Sequence, residues 1–499
     1  MQRTLLLPTL ALLLGSVAAA DPARPNVVLV LCDDLGFGDP GCYGAASKIP
    51  TPAIDRLAAE GLRFTDAHSP SSVCTPTRYG VLTGRYCWRT RVTSGVLGNG
   101  WERSLIEEGR ATIASMLGEH GYTSAAIGKW HLGLDWASSD GSVVDYGHHE
   151  AVDYAAEVLR GPRELGFAHS ALIPASLDMP PYLWLVDGRA ETAPSEHTPG
   201  SERRWSGGGG YWRAGPIAPD FDFYDALPTA ARRASAFIDA VAADGDDAAP
   251  FFLYLPLPAP HTPWMPSEAF QGRTEVGWYG DFVAQTDAVV GQVLAALERN
   301  GLADETLVIV TSDNGSHWPD DQIEAFGHDA NGGWRGQKAD IWEAGHRVPL
   351  VVRWPGVVAP GRVSDQLVGL NDLYATVAEI VGHPLGRDEA EDSVSLLGVL
   401  DGSAAAPVRE ALVQHSFDGT FAIRRGRWKL VVANLGSGGF SDPRRVVPGE
   451  GDVPASPGGQ LYDLAADPHE TRNLWSEEPE VVAALETLLA RVRAPGRGR

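Results

Sequence analysis

Asn26-Val27-Val28-Leu29-Val30-Leu31-Cys32-Asp33-Asp34 is the stretch that decides the fold. From Val27 to Leu31 it is unbroken apolar and mostly β-branched or leucine, without the polar alternation of a half-exposed strand. Such a run reads as a strand buried on both faces, the habit of parallel sheets. Comparable runs follow at 124–127, 251–255, 307–311 and 350–353. Helical patterns lie between them, at 53–60, 112–120, 230–243 and 280–300. The alternation predicts an α/β fold: a large domain with a mostly parallel central sheet flanked by helices. All five runs are expected to lie parallel in it.

The ends of these runs carry the polar groups. The first ends in Asp33-Asp34, and 124–127 runs into Gly128-Lys129-Trp130-His131. The third is followed by Pro260-His261-Thr262-Pro263, and the fourth runs into Asp313-Asn314-Gly315. Open α/β sheets bind ligands beyond the carboxyl ends of their strands. One such coincidence means little; four predict a single site. Asp33, Asp34, Asp313 and Asn314 offer only oxygen, which suits a hard cation, calcium or alternatively magnesium, rather than zinc. Either pair alone reads equally well as a helix cap.

Outside this frame the pattern changes twice. Residues 135–225 are irregular, too long for an ordinary loop, and are expected to form an insertion that shapes substrate choice. Its aromatics, Tyr182, Trp184, Trp205, Tyr211 and Trp212, are expected to form an ordered surface able to stack on sugar rings. From about Ser393 short strands and turns predominate: a hairpin over 422–431, the run 460–464, and a last helix over 479–493. The expected organisation is a signal peptide over 1–20, a catalytic domain over 21–392 containing the insertion, and a smaller C-terminal α+β domain with an antiparallel sheet over 393–499.

The 499 residues, 44% hydrophobic, suffice for a large core. Met1-Gln2-Arg3, a short apolar run and Ala18-Ala19-Ala20 before Asp21 read as an export signal. The mature chain is therefore expected in the periplasm or outside the cell. No later run is long and apolar enough to span a membrane. A net charge of -24 repels nucleic acid and anionic membranes, and any anionic ligand at long range, so local cations would have to reverse it in a pocket. Four cysteines are no disulfide scaffold. Four lysines stand against 36 arginines. Lys129 and Lys338 fall in motifs where a compact ammonium matters; Lys48 and Lys429 read as chance retention.

Cys74-Thr75-Pro76-Thr77-Arg78 places a thiol and a guanidinium at helical i,i+4 spacing. A fixed positive charge beside a thiol favours its anion, which predicts a reactive Cys74. The plainer reading is a buried apolar Cys and a surface Arg. The longer string changes the balance: with Leu82-Thr83-Gly84-Arg85 it resembles the signature of the formylglycine-dependent sulfatases. Gly121-Tyr122-Thr123 through Gly128-Lys129-Trp130-His131-Leu132-Gly133 looks like that family's second signature, and Arg335-Gly336-Gln337-Lys338 like its Arg-Gly-x-Lys segment. The resemblance covers about residues 25–475, with five motifs in the family's order.

The resemblance implies an alkaline phosphatase-like fold and a sulfuric ester hydrolase. It implies that Cys74 is oxidised to formylglycine by a maturation enzyme, and that Asp33, Asp34, Asp313, Asn314 and the side chain at 74 hold the cation. Arg78 would orient the formylglycine, Lys129 would stabilise the diol and the transferred oxygens, and His131 would be the base for release. His261 would contact the sulfate, and Lys338 would neutralise the bridging oxygen as the ester breaks. His328 and Arg335 are further substrate candidates, and His317 lies near the same motifs. The substrate expected is a sulfated glycan or a sulfated small molecule such as an aryl sulfate. The segment 176–182 resembles bacterial relatives grouped with arylsulfatases and N-acetylgalactosamine-6-sulfatases. Two rivals stand: a phosphonate or phosphate monoester hydrolase on the same fold, and a non-catalytic secreted glycan-binding protein.

Overall fold

The computed structural model describes residues 24–494 apart from 45, 146, 202–210, 244, 246–248 and 442–457. The expected signal peptide, Trp205 and the glycine run 207–210 lie outside the described residues. A ten-stranded sheet forms the centre, in the spatial order Arg362–Ser364, Leu62–Phe64, Leu350–Arg353, Thr306–Ser312, Asn26–Asp33, Phe251–Pro260, Thr123–Lys129, His169–Ile173, Leu185–Val186, Arg189–Ala190. From Thr306–Ser312 to His169–Ile173 the strands run parallel. Every residue of Asn26–Asp33 is buried, as its unbroken apolar run requires. The helices Ala226–Ala242 and Gly277–Arg299 cover Phe251–Pro260 and pack on each other.

Register brings the strand ends level. Asp33 pairs with Pro260, and Cys32 pairs with Ser312. Residues 33–34, 261 and 313–314 therefore emerge at one edge.

Three expectations about the central sheet and the segment beside it are corrected here, and a fourth in the C-terminal region. Leu350–Arg353 is a buried strand, but it runs antiparallel to Thr306–Ser312. The chain from 313 to 349 stays at the carboxyl edge, where it builds the site, and so re-enters the sheet from that edge instead of crossing back. The segment 135–225 is not a pure insertion: His169–Ile173 is a parallel strand of the central sheet, paired with Thr123–Lys129. Tyr182 is no sugar platform. It is fully buried, packs against Phe223 with ring centroids 5.0 Å apart, and donates its hydroxyl to the Arg213 carbonyl at 2.9 Å.

The C-terminal region forms a four-stranded antiparallel sheet of Leu412–His415, Phe421–Arg425, Trp428–Val431 and Gln460–Asp463, followed by the helix Pro479–Arg493. Strand alternation splits its faces. Ile423, Leu430 and Leu461 pack with Leu485, Leu488 and Leu489 of the helix, while Ala422, Val431 and Tyr462 pack on Ile341 and Trp342. Beside that second face lies a buried ionic network. Lys429 Nζ is 3.0 Å from Glu343 and 2.8 Å from Glu470. Arg347 reaches Glu343 at 2.6 Å and Asp66 at 2.8 Å, and Arg424 reaches Asp66 at 2.5 Å. Lys429 is thus a fully buried cation with two carboxylates, not a chance retention. All four cysteines are free thiols. Among the described residues no helix is long and apolar enough to cross a membrane.

Candidate active site

The helix Cys74–Thr83 starts at Cys74 and is buried along its whole length. Its first residue faces the strand ends. Cys74 Sγ, an Asp33 oxygen and an Asp313 oxygen lie within 4.8 Å of one another, so residues from 41 to 280 positions apart in the chain meet in one place. Lys129 Nζ binds Asp33 Oδ2 at 2.7 Å and Ser176 Oγ at 3.1 Å. Lys338 Nζ binds Asp34 at 2.7 Å, and Asn314 Nδ2 donates to Asp34 Oδ1 at 2.6 Å. Ser176 Oγ also meets His261 Nδ1 at 3.3 Å.

Two non-glycine residues at the site adopt left-handed backbone, Asp34 at φ 66° and His131 at φ 55°. Each costs on the order of 1 kcal/mol, which the surrounding bonds offset. Gly315 is required by close approach: a Cβ there would lie 1.7 Å from the Ala344 carbonyl oxygen.

Arg78 does not serve Cys74 directly. Its guanidinium turns to Asp313 Oδ2 at 2.7 Å and to the Lys129 carbonyl at 3.1 Å. Burial pushes the Cys74 thiol up, against the pull of Lys129 and Lys338. The expected thiolate activation by Arg78 is therefore corrected: Arg78 positions Asp313, and Cys74 remains a protonated thiol.

His131 presents an unprotonated ring nitrogen to Cys74. Its Nε2 donates to the Leu97 carbonyl at 2.8 Å, which leaves the Nδ1 lone pair facing Cys74 Sγ at 3.3 Å. Burial, with Lys129 next to it, holds the ring well below the usual imidazole range, so it is neutral. His261 is lowered in the same way by burial and by Lys338. Burial works against the charge on Lys338, but Asp34 outweighs it and holds the ammonium above its ordinary value.

The acidic groups split. Burial opposes the charge on Asp33, yet Lys129, His261 and Arg78 hold its carboxyl far below the usual range. Burial and the neighbouring Asp33 charge push Asp313 up. Two buried oxygens, Asp33 Oδ1 and Asn314 Oδ1, have no hydrogen-bond partner. Leaving a buried acceptor unmet costs roughly 1–3 kcal/mol. An all-oxygen donor set with two unmet oxygens fits a hard divalent cation.

The remaining candidates lie apart. His328 is buried with Nε2 2.9 Å from Asp39, and its Nδ1 accepts from the Lys48 amide, so both ring nitrogens are engaged by the protein. Arg335 stacks on Trp342 at 3.6 Å and donates to the Glu470 carbonyl, toward the C-terminal sheet. His317 does sit at the site. Burial and then Lys338 push it down to about 3, and its ring lies 4.9 Å from Phe440. Ser176 was not singled out from the sequence. Its signal is the short run Ala171-Leu172-Ile173, which marks a fifth parallel strand ending just before it.

Residues 25–383 match the sulfatase family model. The chain belongs to the sulfatase family. It is 33% identical to an N-acetylgalactosamine-6-O-sulfatase of Bacteroides thetaiotaomicron, over 98% of each chain. It is 34% identical to human arylsulfatase A, over 96% of this chain and 90% of that one. A solved Bacteroides thetaiotaomicron structure, described with the metabolism of multiple glycosaminoglycans, superposes with a TM-score of 0.79 at 30% identity, covering 94% of this chain and 99% of the other. The fold is that of these enzymes, and this sulfatase is a hydrolase of sulfate esters.

Proposed function

We propose that this sulfatase removes sulfate from a sulfated carbohydrate by S–O cleavage, using formylglycine made from Cys74 by a maturation enzyme. The observation that carries the reading is the pair Cys74 and His131: a buried protonated thiol 3.3 Å from an unprotonated Nδ1. A thiol in that state is a poor nucleophile. A hydrated aldehyde on the same carbon has two hydroxyls: the proton of the one that attacks sulfur ends on the departing sugar oxygen, and only the other gives its proton to Nδ1. One hydroxyl attacks sulfur as the sugar oxygen departs. Removal of the second proton by His131 then re-forms the C=O bond and breaks the C–O bond to sulfate. Lys338 lies next to Asp34, where it can offset charge on the departing oxygen, and His261 can donate to it. Lys129 and Ser176 supply donors for the sulfate oxygens.

Asp33, Asp34, Asp313 and Asn314, with the modified side chain at 74, would hold a calcium or magnesium ion. When bound, that ion supplies positive charge for the sulfate and the nucleophile. The full-length likeness to a named N-acetylgalactosamine-6-O-sulfatase favours a 6-sulfated amino sugar as leaving group. The N-terminal segment supports action after export, in the periplasm or outside the cell.

The test joins two measurements on one sample. Peptide mass spectrometry is expected to find the aldehyde at position 74, and 6-O-sulfated N-acetylgalactosamine is expected to release free sulfate. A fully active sample with only unmodified cysteine at 74 would refute the mechanism.

A further inference from the structure

One short segment is tied across three loops that each carry a residue of the site. Tyr211 N donates to Thr262 Oγ1 at 3.4 Å, next to His261. Arg213 N donates to the Asp178 carbonyl at 3.1 Å, two residues beyond Ser176. Arg213 Nη1 donates to the Gly98 carbonyl at 2.6 Å, one residue beyond the Leu97 carbonyl that fixes His131. The segment 211–213 therefore ties the three loops together beside the site.

One side chain on it, Arg213, and one on the loop it is bonded to, Asp178, are unlike the rest. Asp178 is 6% exposed, and its Oδ1 is buried with no hydrogen-bond partner. Its Oδ2 lies 3.6 Å from the Arg213 guanidinium, whose side chain is 41% exposed. The Ser176–Met179 turn, closed by Met179 N to Ser176 O at 2.9 Å, fixes Asp178 relative to the sulfate donors. The carboxylate offers an unmet acceptor and the guanidinium offers donors, yet together they carry no net charge. Such a pair suits an uncharged polyol better than an anion: the acid accepts from a hydroxyl, and the guanidinium donates to the next oxygen.

We infer that Asp178 and Arg213 form the subsite that recognises the sugar leaving group, reading the hydroxyls of the ring that carries the sulfate. This rests on the sulfated-carbohydrate reading above. It adds two specificity-determining residues that touch neither the sulfate nor the reacting atoms.

The experiment compares Asp178→Asn, nearly isosteric, and Arg213→Gln with the parent on 6-O-sulfated N-acetylgalactosamine and on 4-nitrophenyl sulfate, which has no sugar hydroxyls. The expected result is a ratio of kcat/KM, sugar over aryl, that falls at least about 10-fold in each variant, carried mainly by KM. Arg213→Lys, which keeps a donor, should recover part of it. Equal losses on both substrates, or an unchanged ratio, would overturn the assignment. Binding of the sulfated sugar to Cys74→Ala, measured by calorimetry, gives a readout without turnover. Adding Asp178→Asn to that background should weaken binding about 10-fold, and equal affinity would sink the subsite. A parent that hydrolyses neither ester while Cys74→Ala still binds the sugar would defeat the hydrolytic reading and leave the subsite standing.

Discussion

Two buried clusters in this chain hold the same kinds of group and do opposite things. At the sheet edge, Asp33, Asp34 and Asp313 meet Arg78, Lys129 and Lys338, with His131 and His261. Beneath the C-terminal sheet, Asp66, Glu343 and Glu470 meet Arg347, Arg424 and Lys429, with His68 and His346. Both contain three potential ligand atoms within 4.8 Å of one another. Geometry alone would nominate either as a metal centre. The difference lies in what the chain's own cations already do. In the lower cluster Glu343 is matched on both oxygens, by Lys429 at 3.0 Å and Arg347 at 2.6 Å, and His346 Nε2 sits 3.1 Å from Lys429 Nζ. In the upper one Asp33 Oδ1 and Asn314 Oδ1 stay unmet, and a thiol lies next to them. Glu470 Oε1 of the lower cluster also makes no hydrogen bond, but Lys429 Nζ stands 2.8 Å from it, whereas Arg78 lies 3.7 Å from Asp33 Oδ1; a matched acceptor makes a strut, and an unmatched one is open to a ligand.

The contrast is easiest to break at position 74. Cys74→Ala should lower turnover at least about 10,000-fold while the thermal melt stays close to the parent's, because only the upper cluster loses its reacting atom. A variant with substantial turnover would end the argument. Removing tightly held divalent ions should cost about 1,000-fold in kcat, restored by calcium, and should leave the lower cluster untouched. Full activity in protein shown to be metal-free by elemental analysis would contradict the oxygen ligand set. Lys338→Arg should cost about 100-fold at unchanged charge, since a broad fork cannot take the place of a point charge held 2.7 Å from Asp34. Near-normal kinetics would show that the pocket tolerates the larger group. Lys429→Ala should have the smallest effect on kcat and the largest on stability. It leaves Glu470 without its cation and Glu343 with Arg347 alone in the interior, a loss of roughly 3–5 kcal/mol in urea unfolding. A midpoint equal to the parent's would show that the lower cluster is not a strut.

Asp33-Asp34, Lys129, His131, His261 and Asp313-Asn314 of the upper cluster were legible in the sequence because they follow apolar runs, whereas Cys74, Arg78 and Lys338 were legible through resemblance to the family's signatures. A strand that ends in Asp33-Asp34 or Asp313-Asn314 announces where those groups emerge. Ser176 was harder, since its strand is only five residues, His169–Ile173, set in irregular sequence. The direction of Leu350–Arg353 was misread because an apolar run buried on both faces carries no sign of its polarity. Arg78 was paired with Cys74 by helical spacing, but its side chain found a stronger partner in Asp313, which no local pattern encodes. Lys429 was passed over for a related reason: its carboxylates come from residues 86 and 41 positions away in the chain.

The backbone joining the two halves carries one more consequence. Ser72 N donates to the His415 carbonyl, Ala339 N to the Ser72 carbonyl, and Phe417 N to the Ala339 carbonyl. The peptide leading into residue 74 and the peptide just after Lys338 are thus laced together by residues near 415. A ribosome that has released only the first 400 residues has made every reactive group but only one of those three hydrogen bonds, so the lacing is completed by the last fifth of the chain.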